Sequence, residues 1–497
     1  MNSLHDLVAA TIVTGIHATN PAEFAGEVGS TPFGGYILFA RNLTSLAQGR
    51  ALTDAMRNAT DRNLPPIIAI DQEGGRVVRL RDDFARIPSA MAMSATGDSD
   101  LIRRAGEQCA FDLRRLGANV NFAPVLDLAV FPKNTVIGTR SFGSDPALVA
   151  EMAGAFARGL HNGGIVATPK HFPGHGSTIV DSHCELPVIT ESLERIWDRD
   201  LAPFRALLPS CAAVMSAHIV IEALRDPRPV TLNGPFLQAW LRERCGFRGV
   251  LFSDALEMQA IGAEFGVVEG AVLALQAGVD ALLIAQGAAE AREILSGIVG
   301  AVQEGRIPIE RLHEAVARLR TLRETLWVPI AADAQSPYAG IGEEIARRAV
   351  TLVRGDPVAS NAYVIEFTGE INDGAVDLRN TLGTSIRTQW QGGLQPEAAE
   401  VEKLIASLES IRERVVVLMR RAHMHEQQQD AIQRILDHKP DALIVSLLEP
   451  SDAFIFPDAR HVLCTYGDDE VLLKALHNVL CGREEAIGHL RLDWDPQ

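Results

Sequence analysis

The segment IVATPKHFPGHGST, residues 165–178, carries the pattern that decides the fold. Its first four residues, 165–168, are apolar and rich in β-branched side chains, so they predict a buried strand. Pro173, Gly174 and Gly176 then interrupt regular structure, which places the lysine and the histidines on a loop after the strand. Loops in this position carry the chemistry of α/β proteins far more often than the strands do.

The same succession of a short apolar run, a polar end and a helical stretch recurs eight times between residues 7 and 330. Eight such units predict a (β/α)8 barrel. The clearest helix is expected to begin at Asp145-Pro146, where a capping side chain precedes a proline, and to end at Gly163-Gly164. The predicted strands are 8–14, 36–39, 67–70, 120–125, 165–168, 213–215, 250–252 and 281–284.

Residues 328–342 break this pattern and predict a linker, because prolines and glycines accumulate there. We therefore expect a barrel domain over residues 1–335 and a smaller α/β domain over residues 343–497. A helix from Gly342 to about Arg348 should open the smaller domain, and helices should cover both faces of a parallel sheet. Its predicted strands are 362–366, 415–419, 442–446 and 462–465.

The composition sets limits on the class of protein. The 497 residues are 47% hydrophobic and 22% charged, as expected of a globular chain, and the net charge of −17 argues against a nucleic-acid partner. The six cysteines include no C-x-x-C pair, which favours reduced thiols and a cytoplasmic location. No Lys or Arg precedes Arg41, and no run approaches the ~18 apolar residues of a membrane span.

Polar residues follow six of the predicted strands. In a barrel, all six strand ends point to the same mouth, where barrel enzymes place their active sites. Each residue alone could instead be a helix cap or a satisfied polar group of a loop. The set comprises Arg41-Asn42, Asp71, Asp127, Lys170-His171, His218 and Asp254.

Asp254, in the segment FSDALEM, has three possible roles. A carboxylate at the end of a buried strand could attack a sugar carbon, act as a base, or cap the next helix. On the glycine-rich loop, Asp181 and His183 are separated by one residue, and a carboxylate beside an imidazole suits a general acid/base near neutral pH. A competing interpretation makes His171, His175 and His183 zinc ligands.

Two arginines and one carboxylate form a candidate sugar site. Asp71 and Arg79 lie in DQEGGRVVR, and Arg140 lies in IGTRSFG. A carboxylate that accepts hydrogen bonds from sugar hydroxyls, with arginines that donate to others, would hold a pyranose ring or a carboxylate. Structural ion pairing is the alternative for each arginine.

Four segments together resemble the β-N-acetylglucosaminidases of glycoside hydrolase family 3. They are IDQEGGR from residue 70, FAPVLD from residue 122, KHFPGHG from residue 170 with DSH at 181–183, and FSD from residue 252. The resemblance covers the first ~330 residues in order and spacing. The smaller domain resembles, more loosely, the accessory α/β domain of the family.

The resemblance implies a retaining double displacement without a metal or organic cofactor. Asp254 would be the nucleophile, and His183, paired with Asp181, the acid/base. The residues that would hold the non-reducing-end sugar are Asp71, Arg79, Arg140, Lys170 and His171. The implied enzyme is a cytoplasmic exo-acting β-N-acetylglucosaminidase that acts on a small glycan, from muropeptides or chitin-type fragments.

Several alternatives remain at this point. A histidine acid/base would repel phosphate less than a glutamate does, so phosphorolysis stays open. A β-glucosidase or β-xylosidase of the same family and a catalytically silent sugar-binding barrel are the other readings. Glu449 or Glu426 of the smaller domain could add an acid/base, and that domain could form a homodimer contact.

Overall fold

The computed structural model describes residues 3–59, 64–178, 186–326, 329–369, 371–372, 377–378 and 388–492. Eight parallel strands of the first part of the chain form one sheet with the spatial order β5-β4-β3-β2-β1-β8-β7-β6. The strands are β1 (Ile12–Thr14), β2 (Gly35–Leu38), β3 (Ile67–Ile70), β4 (Val120–Asn121), β5 (Val166–Ala167), β6 (Ala213–Met215), β7 (Val250–Ala255) and β8 (Ala281–Ile284).

The segment after β5 closes this sheet into a barrel. The amide of Phe172 donates to the Met215 carbonyl at 2.8 Å, and the amide of Met215 donates to the Pro169 carbonyl at 3.0 Å. Inside the barrel, alternate residues of the strands form a buried apolar plug, in which the rings of Phe122 and Phe252 meet edge to face at 5.3 Å. The predicted barrel is confirmed.

Two of the predicted barrel strands are four residues shorter in the structure. The first begins at Ile12, because Ser3 and Asp6 form a capping box that starts a helix at Leu4–Ala9. The fourth ends at Asn121, whose side chain accepts from the amide of Gln72 and donates to its carbonyl. Pro124, three residues further, has no amide hydrogen to continue a ladder.

Helices surround the barrel. Asp145 caps the predicted helix Pro146–Asn162 as expected, through the amide of Leu148. Five shorter elements are Leu193–Arg195, Gly234–Phe236 and Gln259–Gly262, with π-helical turns at Ile196–Asp200 and Leu237–Arg244. The remaining helices are Leu4–Ala9, Pro21–Val28, Leu46–Ala59, Ala90–Ala95, Ser99–Leu116, Ala202–Leu207, Val267–Ala277, Ala288–Gln303 and Ile309–Glu324.

The smaller sheet has six strands in the order β9-β14-β13-β12-β10-β11. The sequence predicted four of them as parallel strands, which is confirmed, but missed two edge strands, of which β9 runs antiparallel to β14. The six strands are β9 (Thr351–Arg354), β10 (Ala362–Phe367), β11 (Trp390–Gly392), β12 (Arg414–Met419), β13 (Leu443–Ser446) and β14 (His461–Cys464). The helices are Ile341–Ala349, Ala398–Leu408, Glu426–His438 and Glu470–Leu480.

Two short strand pairs lie outside these sheets, Val188–Ile189 with Val220–Ile221 and Ile371–Asn372 with Asp377–Leu378. The two main sheets pack together partly through helix Ala90–Ala95, whose residues join the apolar core of the smaller sheet. No helix of the described residues is both long and apolar enough to cross a membrane. The five described cysteines form no disulfide.

Candidate active site

A cavity of about 540 Å³ opens at the carboxyl ends of the barrel strands. Asp71 and Lys170 reach it from the ends of β3 and β5, and Asp254 reaches it from β7. Arg79, Arg140 and His171 also line the cavity. The structure therefore brings together all the described side chains that the sequence analysis assigned to nucleophilic attack or to holding the sugar.

Five of the lining residues form one connected network, which we call the ion-pair cluster: Asp71, Glu73, Arg79, Arg140 and Lys170. Lys170 Nζ lies 2.8 Å from Asp71 Oδ1 and 2.7 Å from Glu73 Oε1. Arg79 Nη2 donates to Asp71 Oδ2 at 3.1 Å. Arg140 donates to both oxygens of Glu73 at 2.8 Å, in the bidentate geometry that fixes a guanidinium in one plane.

The charges of the ion-pair cluster stabilise each other. Burial alone would raise the pKa of Asp71, but Lys170 and Arg79 hold that pKa well below its usual range. Burial likewise opposes ionisation of Glu73, and Arg140 and Lys170 nevertheless lower its pKa to about 2. Three cations thus face two carboxylates, so the cluster carries donors in excess for the hydroxyls or the carbonyl of a ligand. Arg79 and Arg140 form ion pairs, which was the alternative to sugar binding for each arginine, and both also line the cavity.

Asp127, at the end of the segment after β4, holds the loop that follows β5. Its Oδ2 lies 2.6 Å from His171 Nδ1, and its Oδ1 accepts from the amides of His171 and His175. His175 Nδ1 is in turn 2.8 Å from Thr178 Oγ1. Asp127 therefore fixes the orientation of the His171 ring through Nδ1. The ring lines the cavity, and its other nitrogen, Nε2, is not bonded to Asp127.

Asp254 differs from the carboxylates of the ion-pair cluster, because no described cation hydrogen-bonds to it. Its Oδ1 accepts from the amide of Ala255 at 2.8 Å. Burial would raise the pKa of Asp254, but the nearby imidazoles of His171 and His218 hold it below the usual range. Asp254 is therefore an ionised carboxylate with lone pairs directed to a cavity, which is the state that a nucleophile requires.

The helix-cap interpretation of Asp254 is wrong. Asp254 lies within β7, and the next helix, Gln259–Gly262, begins after Met258, which provides no side-chain cap. His218 packs nearby, with its Nδ1 2.9 Å from Thr231 Oγ1 and its Nε2 3.1 Å from the Ala255 carbonyl. Burial lowers the pKa of His218, so this ring favours the neutral form.

The proposed acid/base pair, Asp181 and His183, lies outside the described residues, so its assignment remains a prediction from the sequence. The zinc interpretation also used His183, as a ligand together with His171 and His175. Within the described ranges, no group of three or more histidines, cysteines or carboxylates has the arrangement of a metal site.

Sequence reasoning missed two acidic residues of the cavity. Glu73 joins Lys170 to Arg140, and its position two residues after Asp71 in an extended segment was the available signal. Glu257 follows Asp254 by three residues, and neither of its carboxylate oxygens meets hydrogen-bond geometry with a described donor. Burial raises the pKa of Glu257, although the backbone amides of Ala285 and Gln286 act in the opposite sense.

Glu449, considered above as an additional acid, is bound in ion pairs. Its Oε1 lies 3.2 Å from Arg76 Nη1 and 3.1 Å from Arg421 Nη2. Burial opposes ionisation, but Arg421 and Arg76 lower the pKa of Glu449 to about 2. Glu449 therefore holds no proton to donate near neutral pH. Glu426 is exposed and does not line the cavity.

Residues 8–322 match the model of the glycosyl hydrolase family 3 N-terminal domain. The chain belongs to glycoside hydrolase family 3. This family 3 glycosidase is 43% identical over 269 residues to a β-hexosaminidase of Tolumonas auensis, an alignment that covers 53% of this chain and 79% of the relative.

Two solved structures extend the likeness to the whole chain. A glycoside hydrolase family 3 β-N-acetylglucosaminidase from Paenibacillus sp. str. FPU-7 matches with a TM-score of 0.90 and 31% identity, over 99% of each chain. A β-glucoside phosphorylase matches with a TM-score of 0.82 over 99% of this chain and 94% of its own. At 22% identity, that second match shows a shared fold alone.

Proposed function

We propose that this family 3 glycosidase is a retaining exo-β-N-acetylglucosaminidase that removes GlcNAc from the non-reducing end of cell-wall or chitin-type fragments. The observation that carries the proposal is the contrast around Asp254. One ionised carboxylate, to which no described cation hydrogen-bonds, faces a cavity whose other strand ends carry an ion-paired network with donors in excess. The names of the Tolumonas and Paenibacillus relatives support the choice of an N-acetylhexosamine.

In the proposed first step, the Asp254 carboxylate attacks the anomeric carbon. The bond to the leaving oxygen breaks, and His183, oriented by Asp181, gives that oxygen a proton. The product is a glycosyl ester of Asp254. The ion-pair cluster and His171 would hold the sugar hydroxyls during this step, and that alignment removes part of the barrier.

In the proposed second step, a water molecule attacks the anomeric carbon of the ester. The neutral His183 accepts a proton from the water, the ester bond breaks, and Asp254 leaves as a carboxylate. Two displacements at one carbon return the β-configuration, so the first product is β-GlcNAc.

The purified full chain tests this proposal with 4-nitrophenyl β-glycosides. We expect kcat/KM for the β-GlcNAc substrate to exceed that for the β-glucoside by about 100-fold. The glucoside lacks the acetamido group, so the polar groups of the protein that would hydrogen-bond that group would be left unpaired. Proton NMR of the first minutes should show β-GlcNAc before the α-anomer. An equal rate on the glucoside, or α-GlcNAc as the first product, contradicts the proposal.

The acceptor is tested in the same assay with and without phosphate. We expect free GlcNAc as the main product in both buffers. GlcNAc 1-phosphate as the main product would identify a phosphorylase.

Three further features belong to the proposal. We place the boundary between a catalytic domain of residues 1–335 and a second domain of residues 343–497 within residues 328–342. We assign the enzyme to the cytoplasm, because the sequence favours reduced thiols there. The second domain is the candidate homodimer contact, and size-exclusion chromatography with light scattering tests this.

A further inference from the structure

The side of the smaller sheet that faces the barrel carries Glu449, just beyond β13, and Arg421, just beyond β12. Both side chains are buried, together with Arg76 of the barrel. We call these three residues the clasp. Arg76 Nη1 donates to Glu449 Oε1 at 3.2 Å, and Arg421 donates to the same oxygen at 3.1 Å. The clasp therefore joins the smaller domain to the barrel through charged side chains.

On the barrel side, the clasp holds the turn that carries Glu73. The amide of Glu73 donates to the carbonyl of Val77 at 2.9 Å, and this turn is tight because Gly74 and Gly75 both adopt positive φ. Arg76 lies at the tip of that turn. Its contact with Glu449 fixes the tip, and the base of the same turn presents Glu73 to Lys170 and Arg140.

The clasp also holds the turn that carries Arg140. This turn is the 3-10 helix Gly138–Arg140. A Cβ added to Gly138 would lie 2.7 Å from Glu449 Oε1, so only a glycine lets the backbone approach the carboxylate this closely. Arg421 Nη2 donates to the carbonyl of Thr135 at 3.3 Å, just before the turn.

The contacts close a ring. Glu449 touches the tip of one turn and the start of the other, and the two turns meet again where Arg140 donates to both oxygens of Glu73. We infer that Glu449, Arg421 and Arg76 are positioning residues, through which the second domain sets the geometry of the sugar-holding ion-pair cluster. This inference rests on the proposed function, because it assigns the cluster to the sugar.

The inference gives the second domain a defined role. Glu449 does not touch the cavity, so its removal takes no group from the sugar. Its removal would instead leave Arg76 and Arg421 beside each other without their shared carboxylate, and the two turns would separate. A displacement of about 1 Å in groups that hold a substrate can cost up to about 100-fold in rate.

The test compares Glu449→Gln with the wild-type full chain. We expect the KM for 4-nitrophenyl β-GlcNAc and the dissociation constant of GlcNAc, by calorimetry, to rise about 10-fold or more. The assay temperature is one at which circular dichroism shows both proteins folded. A GlcNAc affinity within twofold of the wild type overturns the inference.

Two barrel variants decide the case if Glu449→Gln fails to fold. Arg76→Met should weaken GlcNAc binding as Glu449→Gln does, whereas Arg76→Lys, which keeps a cation beside Glu449, should retain most of the affinity. Equal affinities of the Met and Lys variants overturn the inference.

The matched control is Asp280→Asn, which removes a buried carboxylate paired with arginines at the opposite pole of the barrel. This variant should lose stability while it keeps the GlcNAc affinity. A wild-type chain that neither binds nor releases GlcNAc would refute the proposed function, whereas an unchanged affinity in Glu449→Gln refutes the positioning role alone.

Discussion

Asp71 and Asp254 are both buried carboxylates at strand ends, but their surroundings give them different chemistry. Both oxygens of Asp71 accept from cations, Lys170 and Arg79, so its lone pairs are engaged. Asp254 accepts from one backbone amide and owes its lowered pKa to histidines that do not hydrogen-bond to it. The residue type is the same, and the set of partners decides which carboxylate can attack a carbon.

Asp254→Ala should lower kcat by more than about 1,000-fold, because the proposed covalent intermediate cannot form. The fold should survive, since among the described residues the side chain makes one hydrogen bond, to the neighbouring amide. Activity on 4-nitrophenyl β-GlcNAc and circular dichroism measure the two effects.

Azide provides the control for that variant. The anion can enter the space left by the carboxylate, attack the anomeric carbon and displace the nitrophenolate, which yields the α-glycosyl azide. No azide adduct, or turnover close to that of the wild type, would exclude Asp254 as the nucleophile.

At the scale of the elements, the two poles of the barrel strands perform different tasks. Asp280 stands immediately before β8, at the amino-terminal pole, and is fully buried. Its carboxylate pairs with Arg242 at 2.8 Å, Arg311 at 2.6 Å and Arg318 at 2.9 Å, and so ties helix Ile309–Glu324 and the turn Leu237–Arg244 to the sheet. The carboxyl-terminal pole carries the cavity.

Asp280→Asn should destabilise the protein by about 3–5 kcal/mol, because it leaves three arginines around a neutral amide. KM and kcat should remain within about twofold of the wild type at 25 °C, since the site lies at the other pole. Urea unfolding and steady-state kinetics measure these quantities. A large loss of GlcNAc affinity in this variant would contradict the separation of the two poles.

The sequence predicted the regular elements better than their connections. Strands and helix ends are indicated by local patterns, namely apolar runs and the glycines that follow them. The strands and the helix from Pro146 were therefore predictable. The ion pair of Arg76 with Glu449 joins residues 373 positions apart, and no local sequence pattern predicts it. The edge strand β9 was missed for a similar reason, because its antiparallel partner β14 lies more than a hundred residues further along the chain.

The candidate site shows the same division. The resemblance of short motifs selected Asp71, Lys170 and Asp254, which the structure brings to one cavity. Glu73 was within a quoted motif, but its role depends on Arg140 and Lys170, which lie in the segments after β4 and β5. Partner sets of this kind appear only when the barrel is closed.

At the scale of the whole molecule, the clasp should make the stability of the protein depend on pH. The folded state lowers the pKa of Glu449 from its ordinary 4.5 to about 2. A lowered pKa means that the stabilisation is fully present above pH 4.5 and is lost as the pH falls through 2. The difference in unfolding free energy between wild type and Glu449→Gln should therefore shrink between these two pH values.

Urea unfolding of both proteins at pH 7, 4 and 3 measures this difference, which should fall by roughly 3 kcal/mol at most over the whole range. A difference that is constant with pH would show that Glu449 does not titrate in this window.

The clasp also bears on how a glycan reaches Asp254. Many two-domain enzymes admit a ligand by a hinge motion that parts the domains. Here such a motion would pull Arg76 from Glu449 and free the turn of Gly138, so an opened molecule would lose the geometry that we propose holds the sugar. We therefore expect the barrel and the smaller sheet to move as one body, and the glycan to enter along the barrel axis, past the loops at the rim of the mouth.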